Sequence, residues 1–393
     1  MSDDIASIFQ RAKEGRILFL DRRALSPEYV PTHLPFRQQQ ITAVAEVLAP
    51  ALHGSKPSNL LLYGKTGTGK TAVSRFVVSK LRAEDPSSIV FTPYINTRIA
   101  GTEYRTLWEI ASALETSVPE TGLSIGDVIE RIFSAIRTRG LNVILVLDEI
   151  DYLINSYGDD ILYRFTRAGE RIAPGFLSLV GISNDLKFKE ALDPRVLSSL
   201  GEEELVFPPY TVEELRAILA ERASVAFKQD VVPASAINLC AALAGSEHGD
   251  ARRAVDLLRI AGEVAEREGS SRITESYIRK ASEKVEYDRI EEALRSLPIQ
   301  NKIVLLAISR FSGSTNTGEV YLTYVTLVKK LGVEVLTQRR VSGILAELDL
   351  LGLVEAAVVS KGRRGRTKRI KLLIPADTLT RVIGEDRNIS MAI

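Results

Sequence analysis

Cysteine is almost missing from this 393-residue chain. The single example, Cys240, excludes an internal disulfide framework. It lies in the apolar stretch 236–241 and reads as a buried structural thiol. Histidine is nearly as scarce: His33, His53 and His248 are far apart and give no zinc spacing. No apolar run reaches the roughly 20 residues that span a bilayer, and MSDDIASIFQRAKEG has no signal-peptide core. Charge of one sign is also lacking, with a net of +1. These absences point to a cytoplasmic, reducing setting, no membrane partner and no metal beyond Mg²⁺. The rest is ordinary for a globular protein, 45% apolar and 26% charged. The length predicts two or three domains.

The small net charge hides a gradient. Residues 290–393 carry 16 Lys and Arg against 10 Asp and Glu, a net of +6, which leaves −5 for the remainder. A basic C-terminal part suggests a polyanion partner.

What the chain does have is the run Gly64-Lys65-Thr66-Gly67-Thr68-Gly69-Lys70-Thr71. The apolar segment 60–63 precedes it and a helical pattern follows, the context that a GxxxxGK[ST] phosphate loop requires. Gly64, Gly67 and Gly69 let the backbone curl and aim N–H groups at one anion. The following helix presents its N-terminus to the same anion. Lys70 supplies a charge for the β- and γ-phosphates, and the Thr71 hydroxyl is a Mg²⁺ ligand.

A second signal is Leu145-Val146-Leu147-Asp148-Glu149-Ile150-Asp151. An apolar strand delivers Asp148 beside the loop, where a carboxylate holds the Mg²⁺ shell and Glu149 can polarise a water for in-line attack. The run 176–183 ends at Asn184, either an ordinary turn residue or a hydrogen-bond partner of the attacking water. Arg195, in Asp193-Pro194-Arg195, is either a surface arginine or a finger for a neighbour's γ-phosphate. Arg252 or Arg253 opens a helix, although arginine is disfavoured at a helix N-terminus.

The pattern predicts a helix over 36–52 and strands over 59–63, 88–96, 142–147 and 176–183. Helical spacing covers 70–82, 102–116, 123–138 and 161–168. Alternation of this kind predicts a parallel sheet with helices on both faces. After Pro208-Pro209 the expectation is wholly helical, with a capping box at Thr211 and Glu214. Beyond Pro298, helices over 299–311, 320–331 and 337–351 precede two β-type runs, 353–360 and 367–373. Three helices followed by a hairpin is the winged-helix order.

In that reading, Val341, Leu345, Leu348 and Leu351 face inward, and Gln338, Arg339, Arg340 and Ser342 start the recognition helix. Arginine can pair with guanine and glutamine with adenine. Arg363, Arg364 and Arg366 sit on a wing tip able to enter a minor groove. Lys361, Lys368 and Arg369 contact phosphates.

The order of the phosphate loop, LVLDEID, GISND, LDPRVLSSL and HGDARRAVDLLR is similar to Walker A, Walker B, sensor one, arginine-finger box and sensor two of AAA+ ATPases. With LSPEYVPTHLPFRQQQI, Asn96-Thr97-Arg98 and the C-terminal winged helix, the chain resembles archaeal replication initiators over residues 16 to 375. That family is related to origin recognition complex subunit one and cell-division-control protein six. The resemblance implies an α/β fold: an AAA+ nucleotide-binding domain (1–208), an α-helical lid (209–288) and a winged-helix DNA-binding domain (289–393). It gives nucleotide roles to Lys70, Thr71, Asp148, Glu149, Asn184 and Arg252, with Arg195 acting in trans. Tyr29, Val30 and Pro31 would line the adenine pocket, with Tyr210 also on the nucleotide. The insert 97–114 would touch DNA through Arg98. The implied function is origin binding with an ATP/ADP switch, slow hydrolysis, and recruitment of the MCM helicase, alone or with paralogous initiators. Alternatives are an ATP-responsive transcription regulator and, more remotely, a clamp-loader or transposition-type matchmaker.

Overall fold

The computed structural model describes residues 18–26, 29–85, 88–246, 249–360, 366–386 and 389. The chain forms two compact units that divide between Ala281 and Ser282.

The first unit opens with a 3₁₀ turn, Arg22–Leu25, then α1 (Gln38–Leu48), β1 (Leu60–Tyr63) and α2 (Lys70–Ala83). Next come β2 (Val90–Phe91), β3 (Tyr94–Asn96), α3 (Thr97–Ala100), α4 (Glu103–Ala113) and α5 (Ile125–Arg139). β4 (Asn142–Asp148), α6 (Ile150–Tyr157), α7 (Asp160–Thr166) and α8 (Gly169–Ile172) follow. β5 (Phe176–Ser183), α9 (Pro194–Leu200) and β6 (Glu203–Val206) complete the α/β layer. Helices α10 (Val212–Ala226), α11 (Ala234–Ser246), α12 (Ala251–Arg267) and α13 (Glu275–Ser296) come in succession, with the divide inside α13.

All strand pairs of this unit's sheet are parallel, in the order β2-β4-β5-β1-β6, and β3 also pairs β4. Such a sheet is covered on both faces, so its central strands are near-continuous apolar runs. Alternation sorts their side chains: Leu61, Leu145, Leu147 and Leu179 join one core, and Leu60, Leu62, Val146 and Ile182 join the other. The sheet therefore ends all its strands on one edge, which carries Tyr63, Asp148 and Ser183 together.

Several expectations change in detail. The strand over 88–96 splits at Thr92-Pro93, because Pro93 has no N–H to continue the ladder; its carbonyl instead accepts Val146 N–H at 2.9 Å. β6 was not foreseen in its acidic, exposed sequence, yet it pairs with β1. The insert 97–114 breaks into α3 and α4 at Gly101, whose φ of +77° suits glycine. The first helix stops at Leu48, and Pro50 opens a 3₁₀ turn.

The helical part begins with the capping box: Thr211 Oγ1 accepts Glu214 N–H at 3.2 Å and Glu214 accepts Thr211 N–H at 2.8 Å. Residues 18–20 pack on this part, not on the sheet. Leu20 N–H donates to Ala226 O at 2.7 Å, and the Phe19 and Phe227 rings lie 4.5 Å apart over Gly262. Cys240 is buried, and burial pushes its thiol up to about 12.

The second unit contains α14 (Ile299–Ser309), β7 (Ser314–Asn316), α15 (Thr317–Leu331), α16 (Gln338–Leu350), β8 (Val354–Ser360), β9 (Arg366–Leu372) and α17 (Ala376–Gly384). Its antiparallel sheet has the order β7-β9-β8. This is a winged helix with two additions that sequence patterning did not give, the three-residue β7 and the terminal α17. Gly352, at φ +70°, turns the chain out of α16. Leu351 was expected to face inward and does not: it is 55% exposed, and Ile344 fills that face at 2%. Leu351 is the C-cap of α16, immediately before the turn at Gly352, so it lies at the very end of the inward-facing stripe. Among the described residues no helix is long and apolar enough to cross a membrane.

Candidate nucleotide site and nucleic-acid interface

β1 leads into the phosphate loop and α2 leaves it, so the loop lies at the carboxyl edge of the sheet. Gly67 and Gly69 have φ of +72° and +93°, which an L side chain rarely adopts. Space is a second constraint. A Cβ on Gly67 would lie 1.7 Å from Asp250 Oδ1, and one on Gly69 would lie 2.7 Å from Tyr210 Oη. The helical part thus closes directly on the loop. Ala251 N–H also donates to Gly67 O at 3.2 Å.

Lys70 is 4% exposed, and its Nζ donates to Gly64 O at 2.8 Å and Lys65 O at 2.7 Å. Burial pulls its ammonium down to about 8; Asp148 and Asp151 oppose that shift and Arg252 adds to it. Arg252, the second residue of α12, is therefore within electrostatic reach of Lys70. Lys65 and Thr66 are exposed at the loop's tip, whereas Thr68 is buried with its hydroxyl on Lys65 O at 2.9 Å.

Thr71 Oγ1 donates to Asp148 Oδ2 at 2.9 Å, joining the start of α2 to the end of β4. These two hard oxygen donors suit a small divalent cation whose shell is completed by phosphate and water, as Mg²⁺ prefers. Asp148 Oδ1 accepts Glu149 N–H at 2.9 Å, and Oδ2 also accepts the Tyr94 phenol. Burial, then Asp148, raises the pKa of that phenol, so it stays a donor. Glu149 has φ +54°, an unusual conformation for a glutamate; Thr97 Oγ1 donates to its carbonyl at 2.6 Å. Asn184 follows β5, two positions beyond the register partner of Asp148, and its N–H donates to Asp151 at 3.2 Å.

Other expected residues lie elsewhere. Arg195 grips Asp193 through two contacts of 3.0 Å and pulls that carboxyl down to about 2, mainly through this side-chain bond. Arg98 lies 3.8 Å from Glu149, so the expected DNA contact neighbours the expected water-polarising group. Val30 and Pro31 wall a cavity of about 580 Å³ with Arg75, Phe76 and Tyr94. Tyr29 instead lies under Arg222 of α10, 4.6 Å from ring centroid to guanidinium. Among the described residues no three His, Cys, Asp or Glu side chains converge to hold a metal.

Sequence reasoning missed Arg37, Tyr94 and Asp250. Arg37 is 2% exposed and donates to Thr68 O at 2.9 Å and Pro208 O at 2.7 Å, stacked 3.7 Å over Tyr210. It ties the phosphate loop to the segment that leads into α10. Burial lowers its pKa, and its guanidinium donates to the carbonyls of Thr68, Phe36 and Pro208. Its position just before α1 was a readable signal, because a cation there opposes the helix dipole.

In the second unit, α16 is capped by Thr337, whose Oγ1 accepts Arg340 N–H at 3.3 Å. Val341, Ile344, Leu345 and Leu348 point into the core. Gln338, Arg339 and Arg340 are exposed and Ser342 is half-buried. The preceding loop is pinned by Tyr324, whose hydroxyl accepts Leu336 N–H at 3.1 Å and donates to Gln300 at 2.6 Å. In β9, Lys368 is half-buried, and Arg369 is exposed with its Nε on Ser314 at 3.0 Å. Lys361, Arg363 and Arg364 lie outside the described residues, as does the side chain of Arg366.

Three family descriptions match: an AAA domain over residues 53–184, a Cdc6 AAA+ ATPase-type lid domain over 216–283 and a CDC6 C-terminal winged helix domain over 292–382. The ORC1-type DNA replication protein 1 of Sulfolobus acidocaldarius is 49% identical over 98% of this chain and 97% of its own. That of Sulfurisphaera tokodaii is 47% identical over 98% and 96%. The chain belongs to the ORC1/Cdc6 replication-initiator family. Among solved structures, the Aeropyrum pernix ORC1 protein in complex with DNA is 47% identical, with a TM-score of 0.84 over 96% of this chain and 99% of that one. The Aeropyrum pernix ORC2 protein in ADPNP–ADP complexes is 25% identical, with a TM-score of 0.61 over 95% and 99%. In this ORC1/Cdc6 chain the phosphate loop and the carboxylate edge belong to the first unit and the winged helix to the second.

Proposed function

We propose that this initiator binds duplex origin DNA sequence-specifically, uses ATP and ADP as a switch, and helps recruit the MCM helicase, alone or beside paralogous subunits. The observation that carries the reading is the combination within one chain of the Thr71–Asp148 edge beneath the phosphate loop and the exposed Gln338, Arg339 and Arg340 on α16. The DNA complex of the related ORC1 protein and the nucleotide complexes of the related ORC2 protein support it.

The functional domains are 1–208, 209–288 and 289–393. Residues Gly64 to Thr71 wrap the phosphates, with N–H groups and Lys70 neutralising their charge. Val30 and Pro31 frame the base from the wall of their cavity, and Tyr29 and Tyr210, beside Arg222 and Arg37 and not on that wall, approach the nucleotide from the side of α10. Thr71 and Asp148 hold Mg²⁺, which when bound screens the β- and γ-phosphate oxygens. Glu149 orients the attacking water, Asn184 steadies it, and Arg252 reports phosphate occupancy to α12. Arg195, held outward by Asp193, serves a neighbouring protomer, so hydrolysis by one chain alone is slow. Gln338, Arg339, Arg340 and Ser342 read bases. Lys361, Arg363, Arg364, Arg366 and Lys368 bind the backbone or the minor groove, and Arg98 touches DNA from the first unit.

The test is nuclease protection by the purified chain on genomic fragments of its host, with ATP and with ADP, at physiological salt. Discrete protected repeats beside a replication start are expected. Protection confined to promoters would favour a transcription regulator. Diffuse, salt-sensitive binding would refute intrinsic sequence specificity.

A further inference from the structure

Tyr94 has no part in the reading above, yet its phenol meets the carboxylate assigned to the cation. We propose that Tyr94 is a positioning residue that holds Asp148 in the orientation needed to share Mg²⁺ with Thr71. The inference rests on the nucleotide reading of the site.

Strand pairing sets the geometry. β3 runs beside β4 with Asn96 opposite Asp148 and Tyr94 opposite Val146. The tyrosine is thus two residues upstream on the adjacent strand, and its hydroxyl reaches the carboxylate at the strand's end. A carboxylate offers about four acceptor directions on two oxygens. Glu149 N–H takes one on Oδ1, at 2.9 Å, and the Thr71 hydroxyl takes one on Oδ2, at 2.9 Å. The Tyr94 hydroxyl takes a third, also on Oδ2. One direction remains for a cation or its water, and rotation of the carboxylate would break at least one bond. The Arg75 guanidinium, 4.4 Å from the ring centroid, backs the phenol from the side of the cavity. Tyr94 therefore ties the metal-side carboxylate to β3, independently of the bond from Thr71.

Loss of such an outer-sphere partner typically weakens metal affinity by about 10–100-fold. The experiment compares wild type, Tyr94→Phe, Asp148→Asn and the double variant. A fluorescent non-hydrolysable ATP analogue is titrated in EDTA and in Mg²⁺, and thermal melts check folding. Phenylalanine keeps the ring and its Arg75 contact. The expected result is a roughly tenfold smaller Mg²⁺-dependent tightening in Tyr94→Phe, unchanged affinity in EDTA, and no further loss when Tyr94→Phe is added to Asp148→Asn. Undiminished tightening in Tyr94→Phe would overturn the role of Tyr94 alone. Equal losses in EDTA and Mg²⁺, or full additivity with Asp148→Asn, would also overturn it and make the residue structural. A wild-type protein that binds no analogue would overturn both this inference and the nucleotide reading.

Discussion

Replacing Gly67 by alanine tests the closure of α12 on the phosphate loop. The new methyl group meets two penalties. At φ +72° an L residue costs about 1 kcal/mol or slightly more. The methyl also falls 1.7 Å from Asp250 Oδ1, the atom that accepts Arg253 N–H at 3.1 Å as the N-cap of α12. The carboxylate can swing away, but the cap is then lost, at about 1 kcal/mol. Gly67→Ala should therefore destabilise the nucleotide-free protein by about 2–3 kcal/mol. Asp250→Ala alone should cost about 1 kcal/mol. The double variant should cost about 2 kcal/mol, because the collision is gone and the cap is counted once, leaving a coupling of about 1–2 kcal/mol. Urea denaturation followed by circular dichroism, without nucleotide, reads all four proteins. Simple additivity would refute the contact, since the loop and Asp250 would then be independent.

Lys70 in the free protein is pulled down to about 8, and phosphate favours its charged form, so nucleotide binding takes up a proton above that value. Affinity should be flat below pH 8 and fall above it by at most roughly tenfold per unit, and a Kd equal at pH 7 and 9.5 by calorimetry would count against Lys70. Tyr324→Phe should cost about 1–2 kcal/mol through its lost bonds to Gln300 and Leu336, and should speed amide exchange at Leu336; protection equal to wild type would contradict it. Arg339→Ala should weaken binding to a footprinted site by about 1–3 kcal/mol if it reads a base, with relaxed discrimination there. A uniform loss across sequences, with a salt slope smaller by about one, would make it a phosphate contact instead.

Much of this protein was decided by the sequence itself. The loop, the apolar run into Asp148, the helical stretch after Pro208 and the basic helix-and-hairpin end are local patterns, legible because period and turn chemistry act over neighbouring residues. The capping box at Thr211 and the turn at Gly352 formed as read, since each is completed within a few residues. β6 and β7 were missed because short strands take their state from the strand they pair with, whereas the break at Pro93 and the exposure of Leu351 have local causes, the missing proline N–H and the helix end. Tertiary structure alone decided what surrounds the phosphate loop. Arg37, Tyr94 and Asp250 lie 31, 23 and 183 positions from Thr68, Thr71 and Gly67 in the numbering, and no local rule links them. The glycines of the loop show the division well. Their sequence predicts a backbone free to curl, but the fold adds a second demand, because at Gly67 and Gly69 the space of a side chain is already filled by the carboxylate of Asp250 and the phenol of Tyr210.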